Sequence, residues 1–525
     1  MKTHTVLGEP QAPAARRAVR GRVVMLVDNA IEGDSRVQKQ ARSMADAGWE
    51  VSLIGVTSPG GRRLRWQIGD AEAQLVRLPR PLAVSAASMR PSLRRPLAYA
   101  GATIADLRRQ QAAARVVDLC HRRATLAPGA VGQRVRLASA YAMNALARRW
   151  IGLRAAEHGR LERARQNPEA LLNRWQLQFW RTVRRTRSWR NLDPGLWDFE
   201  IGLARHVDRL DPDIIHANDH RMLGVGARAK MRAASRGRDV KLVWDAHEYV
   251  PGLAPLAGAP KWLAAQIAYE REHAHLADAV VTVSPGLADL LRSTHRLPET
   301  PAVVLNCPEL SASTGPAPDL RADCGIGPDD ELIVYCGGIS EARNNLLMVE
   351  ALPDLAGVHA AFVSVPPSGR RTAADQLLTR ARELGVVDRV HVLPYVPHDQ
   401  VVAYLAGADA AVSPLLHLPN HEIALSNKFF EYAHARLPLV TSDVRTMADM
   451  VRANRMGEVY RAGDRADYVR AVRSVLAAPE EFRAAYDRPG LLDDWNWDRQ
   501  AAVLDKVYTQ LVAGTVPQQR HEENR

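Results

Sequence analysis

One stretch of the sequence decides how the chain is interpreted: Leu425-Ser426-Asn427-Lys428-Phe429-Phe430-Glu431-Tyr432-Ala433, followed by Leu437-Pro438-Leu439-Val440. It joins the start of a helix to a buried strand. Ser426 is suited to cap a helix whose first amides lack partners, and those amides and the helix dipole together form an anion site. Lys428 adds a positive charge there, and Glu431 can accept hydrogen bonds from a group next to the anion. A phosphate beside a vicinal diol, as in a nucleotide, suits this arrangement.

The same residues resemble a known signature. Asn-Lys-Phe-Phe-Glu-Tyr before a small-residue turn and Leu-Pro-Leu-Val is similar to the donor-binding segment of retaining GT-B glycosyltransferases of the family 4 type (glycosyl transferases group 1), which use nucleotide sugars. The resemblance implies that Glu431 holds the ribose hydroxyls and that the amides of Ser426 and Asn427 hold the diphosphate. A second interpretation stays open, in which Lys428 and Glu431 are an exposed i, i+3 pair on an ordinary amphipathic helix.

With 525 residues, the chain is long enough for two or more domains with substantial cores. No apolar run approaches the roughly 18 residues that span a bilayer, and residues 1–21 lack the hydrophobic stretch of a signal peptide. We therefore expect a cytoplasmic protein. The four cysteines show neither metal-ligand spacing nor a disulfide framework, and we expect them to stay reduced.

Short apolar segments alternate with helical ones in two sets. The first set of predicted strands is 23–27, 51–56, 213–216, 242–244, 279–283 and 302–305. The second set follows the Pro/Ser/Gly-rich residues 309–319 and comprises 332–336, 360–365, 390–393, 410–413 and 438–441. Such alternation predicts parallel sheets covered by helices on both faces. The fold class is thus α/β, and the resemblance implies a GT-B arrangement, in which two Rossmann-like doubly wound domains face a cleft.

The resemblance also suggests domain boundaries. We expect a Rossmann-like acceptor domain at 21–305 with a helical basic insertion at 81–200, and a Rossmann-like nucleotide-sugar domain at 306–485. A C-terminal helix within 486–514 should pack back onto the first domain. Residues 1–20 and 515–525 are expected to be disordered tails. The resemblance covers about 21–80 and 200–510 and leaves 81–200 outside it.

The insertion holds most of the positive charge. Residues 81–200 contain 22 Arg, no Lys and 8 acidic residues, a net charge of +14 in a chain of +12, so the remainder is at −2. Aromatic residues stand among these arginines: Trp150, Trp175, Phe179, Trp180 and Trp189. Arginine interleaved with tryptophan favours an anionic membrane surface as a partner. The alternative is a helical insertion with solvated arginines and tryptophans packed on the main body. Nucleic acid is not expected, because no recognition motif accompanies the charge.

Lysine is scarce, at 7 residues against 63 Arg, so Lys428 departs from the usual choice of arginine as the basic residue of this chain. Residues 335–344, Tyr-Cys-Gly-Gly-Ile-Ser-Glu-Ala-Arg-Asn, form a second candidate phosphate site, where glycines let the backbone approach a ligand and Arg343 can bind phosphate. The family resembled here has Gly-Arg followed five residues later by Lys. Arg343 matches that lysine, but Gly338 follows Gly337 at the arginine position. We expect Lys428 to replace the missing charge.

The family's Glu-x7-Glu pairing is incomplete in this sequence. Ile423 lies eight residues before Glu431, and Glu422 is displaced by one. Either Glu422 takes the role through a local backbone shift, or the function relies on Glu431 alone, which we favour.

Other candidate residues follow predicted strands of the first domain. Trp-Asp-Ala-His-Glu at 244–248 resembles the family's Asp-x-His-Glu segment, whose histidine, here His247, contacts the donor sugar near the reacting carbon. Four more residues are candidates for acceptor or sugar contacts, in addition to Glu422: Asp34, Arg36, His216 and Asp219. In the second domain, Tyr395 lies in the loop that by resemblance holds the nucleobase.

Together these features predict a retaining glycosyltransferase, hexosyltransferase-like, of polysaccharide or glycolipid biosynthesis. It would move a sugar from a nucleoside diphosphate to a hydroxyl of a glycan or lipid-linked acceptor at the inner face of the plasma membrane. Catalytic roles are assigned to His247, Arg343 and Lys428. Donor binding is assigned to Gly337, Gly338, Tyr395, Ser426, Asn427 and Glu431. No cofactor is expected, since the nucleotide sugar is a substrate, and no metal, since no carboxylate cluster of the metal-binding type occurs.

Two alternatives stay open. One is a catalytically weakened GT-B protein that binds a nucleotide or glycan and anchors a membrane assembly, which the residues Gly338 and Ile423 favour. The other is a GT-B sugar-nucleotide epimerase, which has no evident use for the arginine-rich insertion. Release of free nucleoside diphosphate on adding a lipid acceptor separates the three.

Overall fold

The computed structural model describes residues 19–57, 65–78, 97–99, 101–126, 130–167, 171–256, 259–310, 318–365 and 372–513. The chain divides into two compact units. Unit 1 comprises Met1–Arg77, Leu203–Gly252 and His273–Arg525, and unit 2 comprises Leu78–Gly202 and Leu253–Glu272. The expected tails at 1–20 and 515–525 lie outside the described residues, apart from residues 19 and 20.

The first sheet of unit 1 has eight strands among the described residues. They are β1 (Arg22–Leu26), β2 (Glu50–Thr57), β3 (Arg65–Ile68), β4 (Ala71–Arg77), β5 (Ile214–Asn218), β6 (Lys241–Ala246), β7 (Ala279–Thr282) and β8 (Ala302–Val303). Their spatial order is β3-β4-β2-β1-β5-β6-β7-β8, and every pair is parallel except β3 with β4. The order reverses between β1 and β5, where parallel sheets of this kind bind ligands.

The second sheet of unit 1 has six strands among the described residues. They are β9 (Leu332–Cys336), β10 (His359–Val365), β11 (Val390–Pro394), β12 (Ala410–Ser413), β13 (Leu439–Ser442) and β14 (Gly457–Tyr460). All pairs are parallel, in the order β11-β10-β9-β12-β13-β14. The switch point lies between β9 and β12. The prediction of two doubly wound α/β domains is confirmed.

The helices, numbered in chain order, connect and cover these strands. They are α1 (Ser35–Asp46), α2 (Ala102–Ala124), α3 (Val131–Gln166), α4 (Leu171–Arg184), α5 (Trp189–Leu192), α6 (Trp197–Leu210), α7 (Asp219–Ala234), α8 (Trp262–His273), α9 (Pro285–His295), α10 (Leu320–Cys324), α11 (Leu346–Ala351), α12 (Thr372–Glu383), α13 (Val401–Leu405), α14 (Pro419–Ile423), α15 (Asn427–His434), α16 (Arg445–Asn454), α17 (Arg465–Ala477), α18 (Pro479–Arg483), α19 (Leu491–Asp494) and α20 (Trp497–Ala513).

All eleven predicted strands are found, because each is a short apolar run, and β5 and β9 are buried along their whole length. Three strands were not predicted: β3, β4 and β14. They carry polar residues at intervals, as in Ala-Glu-Ala-Gln-Leu-Val-Arg of β4. Such strands lie at or near a sheet edge, where one face can remain partly solvated.

The chain returns from the second sheet to the first through α20. Trp497, Leu504 and Tyr508 of this helix are buried in the core that includes Val37 and Met44 of α1. Trp497 Nε1 also donates to Ser43 Oγ at 2.8 Å. Helix α20 thereby fixes α1, which carries Arg36, one of the predicted site residues.

Two hydrogen bonds within unit 1 join residues that follow strands of the first sheet to helix α14. Tyr249 N, after β6, donates to Asn420 Oδ1 at 2.9 Å, and Ser284 Oγ donates to Ile423 O at 2.6 Å. Both partners in the second half belong to α14, the short helix that precedes the donor motif. The strand ends of the first sheet are therefore linked to the helix start at α15.

Candidate active site

Helix α15 begins at Asn427, and Ser426 occupies the N-cap position with extended backbone angles. Its side chain makes no capping hydrogen bond, so the expectation that Ser426 caps the helix through its side chain is wrong. The position still matters, because the first amides of a helix have no intrahelical acceptors. They present N–H groups and the positive end of the helix dipole to any group bound before Asn427.

Glu431 is buried, with 1% of its side chain exposed. Its Oε1 accepts a hydrogen bond from Asn427 Nδ2 at 2.9 Å, and Oε2 lies 3.4 Å from Lys428 Nζ without a hydrogen-bond donor in the described structure. Burial lowers the pKa of Lys428, but the Glu431 charge outweighs it and raises the pKa above its usual range. The pair is thus charged, with Glu431 buried and 29% of the Lys428 side chain exposed, and it is not the exposed surface pair of the second interpretation.

The glycine-rich loop after β9 lies beside this helix. Tyr432 Oη of α15 accepts a hydrogen bond from Cys336 N, the last residue of β9, at 2.8 Å. Gly337 has φ +141°, a conformation that side chains rarely adopt, and this turn redirects the chain at the strand end. Arg343 Nη1 donates to Gly338 O at 3.1 Å, so the guanidinium folds back over the loop. The structure therefore places the glycine-rich loop beside α15, with Arg343 folded over Gly338.

Tyr395 follows β11 and is 38% exposed. Burial and the neighbouring Cys336 raise the pKa of its phenol, while the charges of Lys428 and Arg343 lower it. Tyr395 thus lies within electrostatic range of both cations. The residues assigned to donor binding in the second domain come together at the carboxyl edge of its sheet.

A second cluster lies at the switch point of the first sheet. Arg36 of α1 is 3% exposed. Its Nε donates to Asp245 Oδ2 at 3.1 Å and its Nη2 to Asp245 Oδ1 at 3.0 Å, the bidentate geometry of a strong ion pair. Gln40 Nε2 donates to the same carboxylate at 2.6 Å, and Arg36 Nη1 donates to Val304 O at 2.8 Å. Both charges are therefore paired and hydrogen-bonded.

His247 lies between two carboxylates. Its Nδ1 is 3.3 Å from Asp219 Oδ2, and its Nε2 is 3.2 Å from Asp245 Oδ2. Burial lowers the pKa of His247, but the two carboxylates outweigh burial and raise the pKa well above its usual range. Asp219 adopts φ +61°, a strained conformation for a residue with a side chain, which directs the chain from β5 into α7. The ring is thus held as a cation with 18% of its side chain exposed.

Two residues predicted as acceptor or sugar contacts have structural partners instead. His216 is fully buried: its Nδ1 is 2.7 Å from Tyr508 Oη, and its Nε2 is 3.5 Å from Asp245 Oδ2. His216 thus lies between Tyr508 and the Asp245 carboxylate, and its assignment to a ligand contact stays a prediction. Asp34 caps α1, since its Oδ1 accepts from Val37 N at 3.3 Å. Arg36 is a third such residue, because its donors are directed into the cluster, and the assignments of Asp34 and Arg36 to ligand contacts also stay predictions.

Glu422 does not take the place of the missing first glutamate in this structure. Its Oε1 is 2.5 Å from His417 Nδ1, and its Oε2 accepts from Arg445 N at 2.9 Å. His417 Nε2 in turn lies 3.0 Å from Asp443 Oδ1. Both carboxylate oxygens are engaged near the start of α16, and the assignment of Glu422 to an acceptor or sugar contact stays a prediction.

The sequence analysis missed Lys39 of α1. This lysine is 2% exposed, its Nζ donates to Asn306 Oδ1 at 3.2 Å and to Cys307 O, and it lies 4.6 Å from the ring centre of Trp497. Burial, together with the charge of Arg36, lowers the pKa of Lys39 to about 8, while Glu431 raises it. Lys39 therefore lies within electrostatic range of both Arg36 in the first-sheet cluster and Glu431 in α15. Lysine is scarce in this chain, and the same observation that drew attention to Lys428 could have identified Lys39 from the sequence.

In the part of the chain that the structure describes, no three His, Cys, Asp or Glu side chains are grouped so as to hold a metal ion. Nor does any described helix combine the length and apolarity needed to cross a bilayer. Whether the reaction is independent of metal stays a prediction.

The chain matches two family models. Residues 330–478 match the family described as glycosyl transferases group 1, and residues 143–308 match Glycosyltransferase Family 4. The second match begins inside 81–200. The expectation that this whole segment lies outside the family resemblance is therefore wrong for residues 143–200.

Curated relatives are similar over part of their length. Glycogen synthase from Mycobacterium tuberculosis is 30% identical over 178 residues, which cover 34% of this chain and 42% of that protein. D-inositol 3-phosphate glycosyltransferase 1 from Catenulispora acidiphila is 26% identical over 338 residues, covering 61% of this chain and 77% of that protein. The chain thus spans less than half the length of the glycogen synthase that it matches.

Solved structures share the fold. Sucrose-phosphate synthase from Thermosynechococcus elongatus has a TM-score of 0.62 at 14% identity, with 94% of this chain and 100% of that chain covered. Anabaena HepE in complex with UDP has a TM-score of 0.55 at 11% identity, with 93% and 100% covered. The two family matches fall on both parallel sheets and these structures share the arrangement: the chain belongs to the GT-B glycosyltransferases of group 1 and family 4.

Proposed function

We propose that this protein is a retaining glycosyltransferase that moves a sugar from a nucleoside diphosphate to an acceptor hydroxyl. The buried carboxylate of Glu431 carries the proposal. Its Oε2 makes no hydrogen bond within the described residues and is paired with Lys428 Nζ only at 3.4 Å, so this oxygen retains acceptor capacity for a ligand hydroxyl. A ribose diol supplies two hydroxyl donors to a carboxylate. The relatives support this choice, since the HepE structure contains UDP.

The neighbouring groups fit a diphosphate next to that ribose. The amides at the start of α15 and Lys428 place positive charge at the start of this helix, and the charges of Lys428 and Arg343 both act on Tyr395. Negative charge grows on the leaving diphosphate as the bond to the sugar breaks, so these groups stabilise the transition state more than the ground state. The acceptor attacks on the face that the diphosphate leaves, and the departing phosphate takes the acceptor's proton.

His247 has a different role in this proposal. Because two carboxylates keep the imidazole positively charged, it cannot act as a general base while so held. A cation with a partly exposed ring instead suits an electrostatic contact with an oxygen of the donor sugar, because both of its N–H groups already face carboxylates. The carboxylates of Asp219 and Asp245 fix the ring for that contact, which makes them positioning residues.

The Glu431→Gln variant tests the ribose contact. We expect nucleoside diphosphate affinity to fall by about 1–3 kcal/mol, because one charged acceptor is replaced by a neutral amide. Isothermal titration calorimetry with UDP measures this. Glu350→Gln, which alters a carboxylate paired with Arg380 elsewhere in the second domain, is the matched control and should leave affinity unchanged. Unchanged affinity in a folded Glu431→Gln variant refutes the assignment.

We also propose that the acceptor is presented at an anionic membrane surface, a choice supported by unit 2. Helix α4 exposes 61% of Trp175 and 39% of Phe179, whose rings stack 5.2 Å apart. Helix α3 exposes apolar residues spaced three, four or eight apart, which share one face: Val131, Val135, Met143, Leu146, Trp150 and Leu153. Exposed apolar side chains among arginines are typical of helices that lie at a membrane interface.

Sedimentation with liposomes tests this surface. We expect binding that requires acidic lipid and decreases as salt is raised, because each basic residue near the surface contributes about 1 kcal/mol and salt screens it. The double variant Trp175→Ser/Phe179→Ser should bind less. Leu310→Ser, which removes a similarly exposed apolar side chain in unit 1, should not. Equal binding to neutral vesicles, or none to acidic ones, contradicts the proposal.

A further inference from the structure

Unit 2 contains a cavity of about 720 Å³, within the usual size range of small-molecule sites. Residues of α4, of the turn after it and of α8 form its wall. Leu177, Leu263 and Ile267 supply apolar surface and are only half-buried. An apolar cavity of this size lacks the packing contacts that a filled site would provide, so an apolar occupant is favourable.

Three of the six polar side chains of the cavity wall are arginines. Arg181, Arg185 and Arg271 line it and are exposed, and none forms an ion pair with a carboxylate among the described residues. Two neighbouring arginines behave differently: Arg187 and Arg190 both pair with Glu272. The cavity therefore combines apolar walls with three positive charges that no described acidic side chain neutralises.

A third observation points to a bound hydrogen-bonding group. Ser188 lines the cavity and is fully buried, yet its hydroxyl has no hydrogen-bond partner in the described structure. A buried hydroxyl is usually satisfied, since leaving it unpaired costs free energy. An oxygen of a bound ligand would satisfy it.

Part of the cavity wall rests on a packed core that includes Trp189 and residues of α8. Trp189, which follows Ser188, packs its ring against Tyr269 of α8 at 4.8 Å and against Trp197 at 5.0 Å. Ala265 and Ala268 lie in the same core. Because one face of α8 is fixed in this core, its other face, with Leu263 and Ile267, forms a preorganised wall for a ligand.

We propose that this cavity binds one lipid with a phosphate headgroup, the aliphatic chain against Leu177, Leu263 and Ile267 and the phosphate against Arg181, Arg185 and Arg271. Arginine binds phosphate oxygens in pairs, which suits a headgroup at this position. The site deepens the membrane part of the proposed function, because it gives a single lipid-linked phosphate a defined position on unit 2. It is independent of the nucleotide site in unit 1.

Calorimetry on the full chain tests this site with decyl phosphate below its micelle concentration. We expect one molecule to bind, with inorganic phosphate and decanol each binding at least tenfold more weakly, because each lacks half of the recognised chemistry. The Arg181→Gln/Arg185→Gln/Arg271→Gln variant should lose at least tenfold in affinity. Ile267→Trp should lose as much by filling the cavity. Arg174→Gln/Arg184→Gln, which changes exposed arginines of α4 outside the cavity wall, should retain the affinity.

The three ligands, decyl phosphate, inorganic phosphate and decanol, separate the possible sources of binding. Equal affinity for inorganic phosphate means a simple anion site, and equal affinity for decanol means an apolar cavity only; either result overturns the proposal. Equal loss in the control variant would also overturn it, because charge alone would then explain binding. UDP titration of every variant reports the fold of unit 1. A protein that binds UDP but not decyl phosphate refutes the cavity alone, and one that binds decyl phosphate but not UDP refutes the nucleotide site alone.

Discussion

Asp245→Asn is expected to lower the free energy of unfolding by about 3–5 kcal/mol, the cost of leaving one member of a buried ion pair without its partner. Arg36 is 3% exposed and its guanidinium donates twice to Asp245, so the variant leaves a buried cation facing a neutral amide. The amide also turns an N–H group toward Gln40 or His247, both of which donate to the carboxylate. Urea unfolding at pH 7, followed by circular dichroism, measures the loss.

Asp449→Asn is the matched control. Asp449 lies 3.9 Å from Arg452 with both side chains mostly exposed, and such surface pairs contribute about 0–1 kcal/mol. A loss below about 1 kcal/mol in Asp245→Asn would show that the cluster relaxes around the amide, and the buried pair would then not be a stabilising element.

The same cluster sets the expected dependence of stability on pH. The carboxylates raise the pKa of His247 above its ordinary value of 6.5, so its stabilisation is complete below 6.5 and is lost as the pH rises through the folded-state pKa. Arg36 and His247 outweigh burial and lower the pKa of Asp245 below its ordinary 3.8, so its stabilisation is present above 3.8 and is lost on acidification. The wild type should therefore lose stability on both sides, and Asp245→Asn should show a weaker decline on the alkaline side.

Lys428→Ala is expected to lower turnover by roughly 10²–10³-fold, the usual cost of removing one group that stabilises transition-state charge. Burial opposes the charge on Lys428, but Glu431 keeps it protonated, so a full positive charge lies at the start of α15. Turnover is measured as release of nucleoside diphosphate. The donor comes from a thermal-shift screen of nucleotide sugars, since a ligand at 100 times its Kd stabilises by about 2.7 kcal/mol.

Lys428→Arg is the control, because it keeps the charge beside Glu431 and should retain most of the activity. Loss of turnover in Lys428→Ala could also arise from the unpaired Glu431 carboxylate. Affinity for UDP in the same variant separates the two effects. A fall in turnover much larger than the fall in affinity is the expected result.

Position 338 is glycine where the family has arginine, and this difference provides a sharper test of the charge on Lys428. A Cβ added at Gly338 would meet only Arg343 Nη1, at 3.2 Å, and that flexible guanidinium can move away. Gly338→Arg should therefore be tolerated and should recover part of the turnover lost in Lys428→Ala. A double-mutant cycle compares the gain in the two backgrounds. If Gly338→Arg gives no more benefit in Lys428→Ala than in the wild type, the two positions do not compensate for one another.

The sequence alone determined the two sheets and the donor helix. Apolar runs such as 332–336, which is buried throughout, and 410–413, which is buried except at Ser413, form strands, and this pattern is set by local composition because parallel strands bury both faces. The succession of Asn427, Lys428 and Glu431 on one helix start is also local. Their spacing along the chain is enough to place them on adjacent turns.

Only the tertiary structure decided which site residues contact one another. Arg36 and Asp245 are 209 residues apart in sequence, and His216 is 292 residues from Tyr508. No pattern in the sequence distinguishes a partly exposed histidine near a strand end from one buried beneath a carboxylate. His247 follows β6 and His216 lies within the neighbouring strand β5, yet the first is partly exposed and the second is fully buried. The His216 ring is covered by Tyr508 of α20, a contact between distant segments that local spacing does not encode.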